Sequence, residues 1–182
     1  MRREKKKKSA IKGALGWLIY LTILVTVVFL LIRFVGERTV VSGDSMEPTL
    51  RDGDNLIVDK LSYRFRDPQR YDIVVFPFRY QEDTYYIKRI IGLPGETVQI
   101  YDGDVYINGK LLRDDYGSEA IRNAGLASKA ITLSEDEYFV LGDNRNNSAD
   151  SREPSVGNIR KQDIKGRALL RIWPPDAVSL LN

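Results

Sequence analysis

Ser45, in Ser42-Gly43-Asp44-Ser45-Met46-Glu47-Pro48, and Lys88, in Tyr85-Tyr86-Ile87-Lys88-Arg89-Ile90-Ile91, are the residues of this chain best suited to covalent chemistry. The chain has no histidine and no cysteine. That excludes a Ser-His-Asp triad, a cysteine nucleophile and any zinc site made of those ligands. A hydrolase with a side-chain nucleophile must then take Lys, Asp, Glu or Tyr as its base. A lysine serves only when neutral. At the ordinary pKa of about 10.4, roughly one lysine in a few thousand is neutral at pH 7, and a fall of ~3 units would change that. Strand alternation puts Tyr86, Lys88 and Ile90 on one face. Burial of that face would dry the amine; an edge strand would leave it in water.

Gly43 permits unusual backbone angles beside Ser45, and Pro48 pushes Glu47 out of helical geometry. A serine held there can offer its Oγ and its own N–H to a carbonyl. The rival role is a turn serine bonded to local backbone. A third segment runs from Gly142 to Arg152 as Gly-Asp-Asn-Arg-Asn-Asn-Ser-Ala-Asp-Ser-Arg. Asp150 and Arg152 are near enough in sequence to pair, and Asp143 can meet an arginine such as Arg89. Ser148 can orient a neutral amine. The alternatives are a solvated loop or an N-glycosylation sequon at Asn146-Asn147-Ser148. Ser9-Ala10-Ile11-Lys12 matches the Ser-x-x-Lys of penicillin-binding proteins by chance, since it lies in a basic tail.

The elements that must position these residues are mostly strands. Period-2 and β-branched runs are expected at Arg38–Ser42, Asn55–Lys60, Asp72–Phe76, Thr84–Ile91, Thr97–Tyr101, Val105–Asn108, Glu137–Leu141 and Arg167–Trp173. Asp102-Gly103 predicts a hairpin. Residues 113–135 are polar and weakly periodic, and read as a short helix or an excursion from the β body. The expected fold is mainly β, a partly closed barrel or sandwich-like domain behind one N-terminal transmembrane helix.

Residues 1–12 carry seven basic side chains against Glu4, whereas residues 37–182 carry 20 basic and 24 acidic ones. The sequence pI near 9.0 therefore belongs to the tail, and nucleic acid is not an expected partner. Ala14 to Ile32 is free of charge and long enough, at roughly 28 Å as a helix, to cross a bilayer. Trp17, Tyr20 and Arg33 suit its interfaces. A cleaved signal is the weaker reading, since no small-x-small site follows the run. The expected division is a cytoplasmic tail at 1–12, a transmembrane helix at 13–35 and an outer catalytic domain at 36–182. Positive charge before the span places the N-terminus inside. Without disulfides, the outer domain must fold on its packed core.

Three segments in order (Ser45–Leu50, Lys88–Glu96, and Gly142–Arg145 through Ser148–Arg152) resemble the motif segments of bacterial type I signal peptidases. Tyr71–Pro77 resembles a fourth. The resemblance implies cleavage of signal peptides at the outer face of the cytoplasmic membrane, by a Ser/Lys dyad without metal or cofactor. It implies Ser45 as nucleophile, Lys88 as general base and Ser148 bonded to the lysine amine. Asp150 with Arg152, and Asp143 with Arg89 or Arg145, would hold the site in shape. Gly43, Ser45 and Met46 form the loop at the expected oxyanion position. Gly43 stands where some members have a serine donor, so the Gly43 backbone or water would have to replace it. Asn146 and Glu96 replace other common acids. Implied partners are exported preproteins, membrane lipids and the secretion machinery. Phe76, Phe78, Trp173 and Pro174-Pro175 are candidates for a bilayer-facing surface. Two other readings are a Ser/Lys protease with a different substrate and a non-enzymatic, membrane-anchored β binding module.

Overall fold

Runs of Val and Ile flanked by Gly and Asp turns fold here as antiparallel strands, because branched side chains pack well on a pleated sheet. The computed structural model describes residues 13, 15–27, 29, 36–117 and 119–181. Twelve strands lie among them: β1 (Gly36–Val40), β2 (Asn55–Asp59), β3 (Ile73–Pro77), β4 (Tyr85–Gly92), β5 (Thr97–Tyr101), β6 (Asp104–Ile107), β7 (Lys110–Leu111), β8 (Ile131–Thr132), β9 (Glu137–Leu141), β10 (Ile159–Arg160), β11 (Gly166–Trp173) and β12 (Ser179–Leu180). All eight expected strands are present. The four of two residues each are too short to leave a pattern in the sequence.

The larger sheet runs β1-β2-β11-β3-β4-β9-β10, with β12 also paired to β11. The smaller runs β7-β6-β5-β8. The β5–β6 hairpin turns at Asp102 and Gly103, both at positive φ (51° and 84°), which matches the right-handed strand twist.

β4 lies between β3 and β9, with Val74 opposite Lys88 and Leu141 opposite Arg89. Lys88 is therefore on a central strand, not an edge. Its two neighbouring strands shut out the solvent that an edge lysine would meet. Three apolar clusters fill the domain. Met46, Leu50, Leu56, Ile73, Val75 and Ile87 share one. Val74, Phe76, Ile90 and Val140 form another across β3, β4 and β9. Val98, Ile100, Val105, Phe139 and Leu141 join the smaller sheet to β9. Phe76 thus belongs to the core, not to a bilayer-facing surface, and Phe78 stacks on Tyr86 with centroids 4.7 Å apart. Trp173 is exposed.

Among the described residues of 113–135, the structure has a 3-10 turn (Gly125–Ser128) and β8 and no α-helix. Ile121, Ala127 and Leu133 bind the segment into the core.

Residues 15–27 are helical, and Trp17 meets Tyr20 edge-on at 6.0 Å. Among the described residues no helix is long and apolar enough to cross a membrane. The expected span at 13–35 falls partly, and the tail at 1–12 wholly, outside the described residues.

Candidate active site

Ser45 sits in the loop joining β1 to β2, and that loop is tied at both ends. Val41 N–H donates to Asp54 O at 2.8 Å and Gly53 N–H to Val41 O at 3.0 Å. Gly43 adopts a φ of +88°, a conformation a β-carbon would strain. Its N–H donates to Asp52 Oδ1 at 2.8 Å. Gly43 is therefore not available as the expected substitute oxyanion donor, because Asp52 already holds that hydrogen. Met46 and Leu50 turn inward as core residues, and Leu50 N–H closes on Met46 O at 2.9 Å. Ser45, just before them, is left half-buried, its own N–H without an acceptor among the described residues.

Lys88 Nζ donates to Ser45 Oγ at 2.8 Å and to Ile87 O at 2.9 Å. The residue is 4% exposed, and Nζ lies 5.0 Å from the centroid of the Tyr86 ring. Burial lowers the amine pKa from 10.5 to about 8, against the pull of the Asp150 and Asp143 carboxylates, which favour the charged form.

Around this pair lies a layer of buried ions. Arg89, fully buried, donates from Nε and Nη2 to Asp143 at 2.9 and 2.7 Å. Arg152 donates from Nε and Nη2 to Asp150 at 2.7 and 2.8 Å. Both contacts are two-pronged, the geometry a guanidinium gives a carboxylate. Asp150 also accepts Gly142 N–H at 3.1 Å, and Asn144 N–H donates to Ser45 O at 3.1 Å. The loop after β9 is thereby bonded directly to the nucleophile loop.

Asp143, expected to pair with Arg89 or Arg145, takes Arg89; Arg145 Nη2 lies instead 2.5 Å from Asp114 Oδ2, and its Nε donates to Gly142 O at 3.0 Å. Ser148 Oγ is buried but makes no hydrogen bond among the described residues, so the expected bond to the lysine amine is absent. Close packing against Gly142 sets its direction: a β-carbon on that glycine would stand 2.2 Å from Ser148 Oγ. Asn146 and Glu96, which stand where the family has other acids, bond elsewhere, to Ala120 O at 3.0 Å and to Arg70 Nη2 at 2.5 Å.

Sequence reasoning missed a strap at residues 113–117. Besides Asp114, it supplies Tyr116, whose ring covers the Arg89 guanidinium at 3.6 Å from Cζ to centroid. Tyr71 OH donates to Arg113 O at 2.9 Å and secures the strap. An aromatic residue in a polar stretch was the only local signal for it. No group of residues fit to hold a metal ion occurs among the described residues.

A serine hydroxyl in contact with a buried lysine amine, on an antiparallel β frame, is the chemistry a serine peptidase without histidine requires. The chain belongs to the signal peptidase family, peptidase S26, whose family model matches residues 14–173, and it is a serine endopeptidase. A probable signal peptidase I-2 of Synechocystis is 41% identical over 99% of this chain and 84% of that one. Signal peptidase I P of Bacillus subtilis subsp. natto is 37% identical over 97% of this chain and 96% of that one. A solved signal peptidase I of Enterococcus faecalis V583 aligns at a TM-score of 0.45 and 35% identity, over 56% of this chain and 97% of that one.

Proposed function

We propose that this chain is a membrane-bound endopeptidase that removes N-terminal signal peptides from exported preproteins, with Ser45 as nucleophile and Lys88 as general base. The observation that carries the assignment is the 2.8 Å contact between Ser45 Oγ and a buried Lys88 Nζ. Neutral Lys88 keeps one N–H on Ile87 O and turns its lone pair to the serine, whose O–H then donates to it. The amine takes the proton as Oγ attacks the scissile carbonyl. It returns that proton to the leaving amine as the acyl-enzyme forms. A water activated by the same lysine releases the acyl group. The Ser45 N–H meets the oxyanion, a contact of a kind worth about 3 kcal/mol. The Arg89–Asp143 and Arg152–Asp150 pairs keep the loops in register.

The uncharged run at 14–32 anchors the enzyme as a single-pass protein with its N-terminus in the cytoplasm. The catalytic domain then lies on the outer face of the plasma membrane, beside preproteins, lipids and the secretion machinery. Ser45→Ala and Lys88→Ala should each abolish preprotein cleavage, measured by the mobility shift of the mature product, with circular dichroism unchanged. Processing that survives either substitution would remove the dyad assignment.

A further inference from the structure

Arg171 lies on β11, outside the motif segments and the ion pairs around Lys88. Its guanidinium joins two segments distant in sequence. On one side Nη1 donates to Thr49 O at 3.1 Å and to Asp54 Oδ2 at 3.0 Å. Asp54 is buried, and its Oδ2 also accepts Arg51 N–H at 3.0 Å. On the other side Nε donates to Ala177 O at 2.7 Å and Nη2 to Ser179 Oγ at 3.3 Å. From this second segment Leu181 is buried in the same apolar cluster as Met46 and Leu50. The loop carrying Ser45 therefore rests on residues 174–181 through a polar strut and a shared core.

We propose that Arg171 is a positioning residue for Ser45, fixing the Thr49–Asp54 half of the nucleophile loop against the C-terminal segment. The proposal rests on Ser45 being the nucleophile. Leu50 N–H is bonded to Met46 O at 2.9 Å, so movement at Thr49 and Leu50 passes within one turn to the residue beside Ser45. The forked guanidinium is needed because four acceptors on two segments must be held at once; a single ammonium cannot span them. Arg171 is bonded to neither Lys88 nor Ser45, so its effect falls on distance and not on proton affinity.

The test is Arg171→Ala and Arg171→Lys in the full chain, with kcat, KM, the pH profile and thermal unfolding measured on a signal-peptide substrate. For Arg171→Ala, kcat should fall about 10- to 100-fold, as a misplacement near 1 Å does. KM should stay within about twofold, which marks a loss made in the reaction step and not in binding. The pH inflection should not move, and Arg171→Lys should recover part of kcat. A folded Arg171→Ala with normal kcat overturns the proposal, as does a raised KM at unchanged kcat. If Arg171→Ala does not fold, Arg171→Lys carries the test, and wild-type kcat in that variant overturns it. Ser45→Ala separates the two claims. If it still processes substrate, the nucleophile assignment has failed; if it is dead and Arg171→Ala is normal, only the strut has failed.

Discussion

An amine of pKa about 8 is neutral in roughly one molecule in ten at pH 7. Against a free lysine, burial of Lys88 raises the competent fraction by about 300-fold. The pH profile of kcat/KM should therefore rise through an inflection near 8; a climb that continues to the free-lysine range would contradict a dry amine. The same burial costs stability. The unfolded chain holds more protons than the folded one between about pH 8 and 10.5, so the penalty is complete below 8, shrinks as pH rises, and is gone above 10.5. Its size is about 3 kcal/mol. Lys88→Met should be inactive yet more stable than the parent at pH 7 by up to that amount, with the gain vanishing by pH 10.5; urea unfolding at both pH values checks this. Ser45 and Lys88 were legible because the absence of histidine and cysteine left few other residues for the chemistry. The dryness of Lys88 was only half legible. Alternation gives the face, but the central place of β4 comes from pairing with strands far away in the chain.

Gly142, at the end of β9, shows how closely the elements meet. A β-carbon there would stand 2.4 Å from Ser45 O as well as against Ser148 Oγ. The first of these atoms is backbone of the nucleophile and cannot yield without moving it. Gly142→Ala should leave a folded chain whose kcat is lower by about 100-fold, and near-normal turnover would mean the loops are more compliant than their hydrogen bonds imply. The eight longer strands were readable because each is an alternating or a continuous run of β-branched and aromatic residues between turn signals. The strap at 113–117 was not. Its meaning lies in Arg89, 27 positions from Tyr116, and Arg145, 31 positions from Asp114, and no local period marks such contacts. Ser148 was misread for a related reason: its spacing within the motif says which residues are near, not which way a hydroxyl turns.

Residues 38–182 form one compact unit, and the uncharged run lies before it. If that run anchors the enzyme, deletion of residues 1–36 should leave cleavage of a short soluble peptide unchanged. Cleavage of a preprotein embedded in vesicles should drop by about 100-fold or more, because confinement to one plane supplies the local concentration. Equal losses on both substrates would assign residues 1–36 to folding instead. Composition made the division of charge readable at this scale. The arrangement of the buried ions was not readable, since it depends on loops that meet only after folding. Those ions have one more consequence. Mobile electrolyte weakens exposed pairs such as Arg122–Glu119 and Lys161–Asp67, but it cannot enter where Arg89 meets Asp143. An enzyme built this way keeps its cutting geometry through swings in salinity.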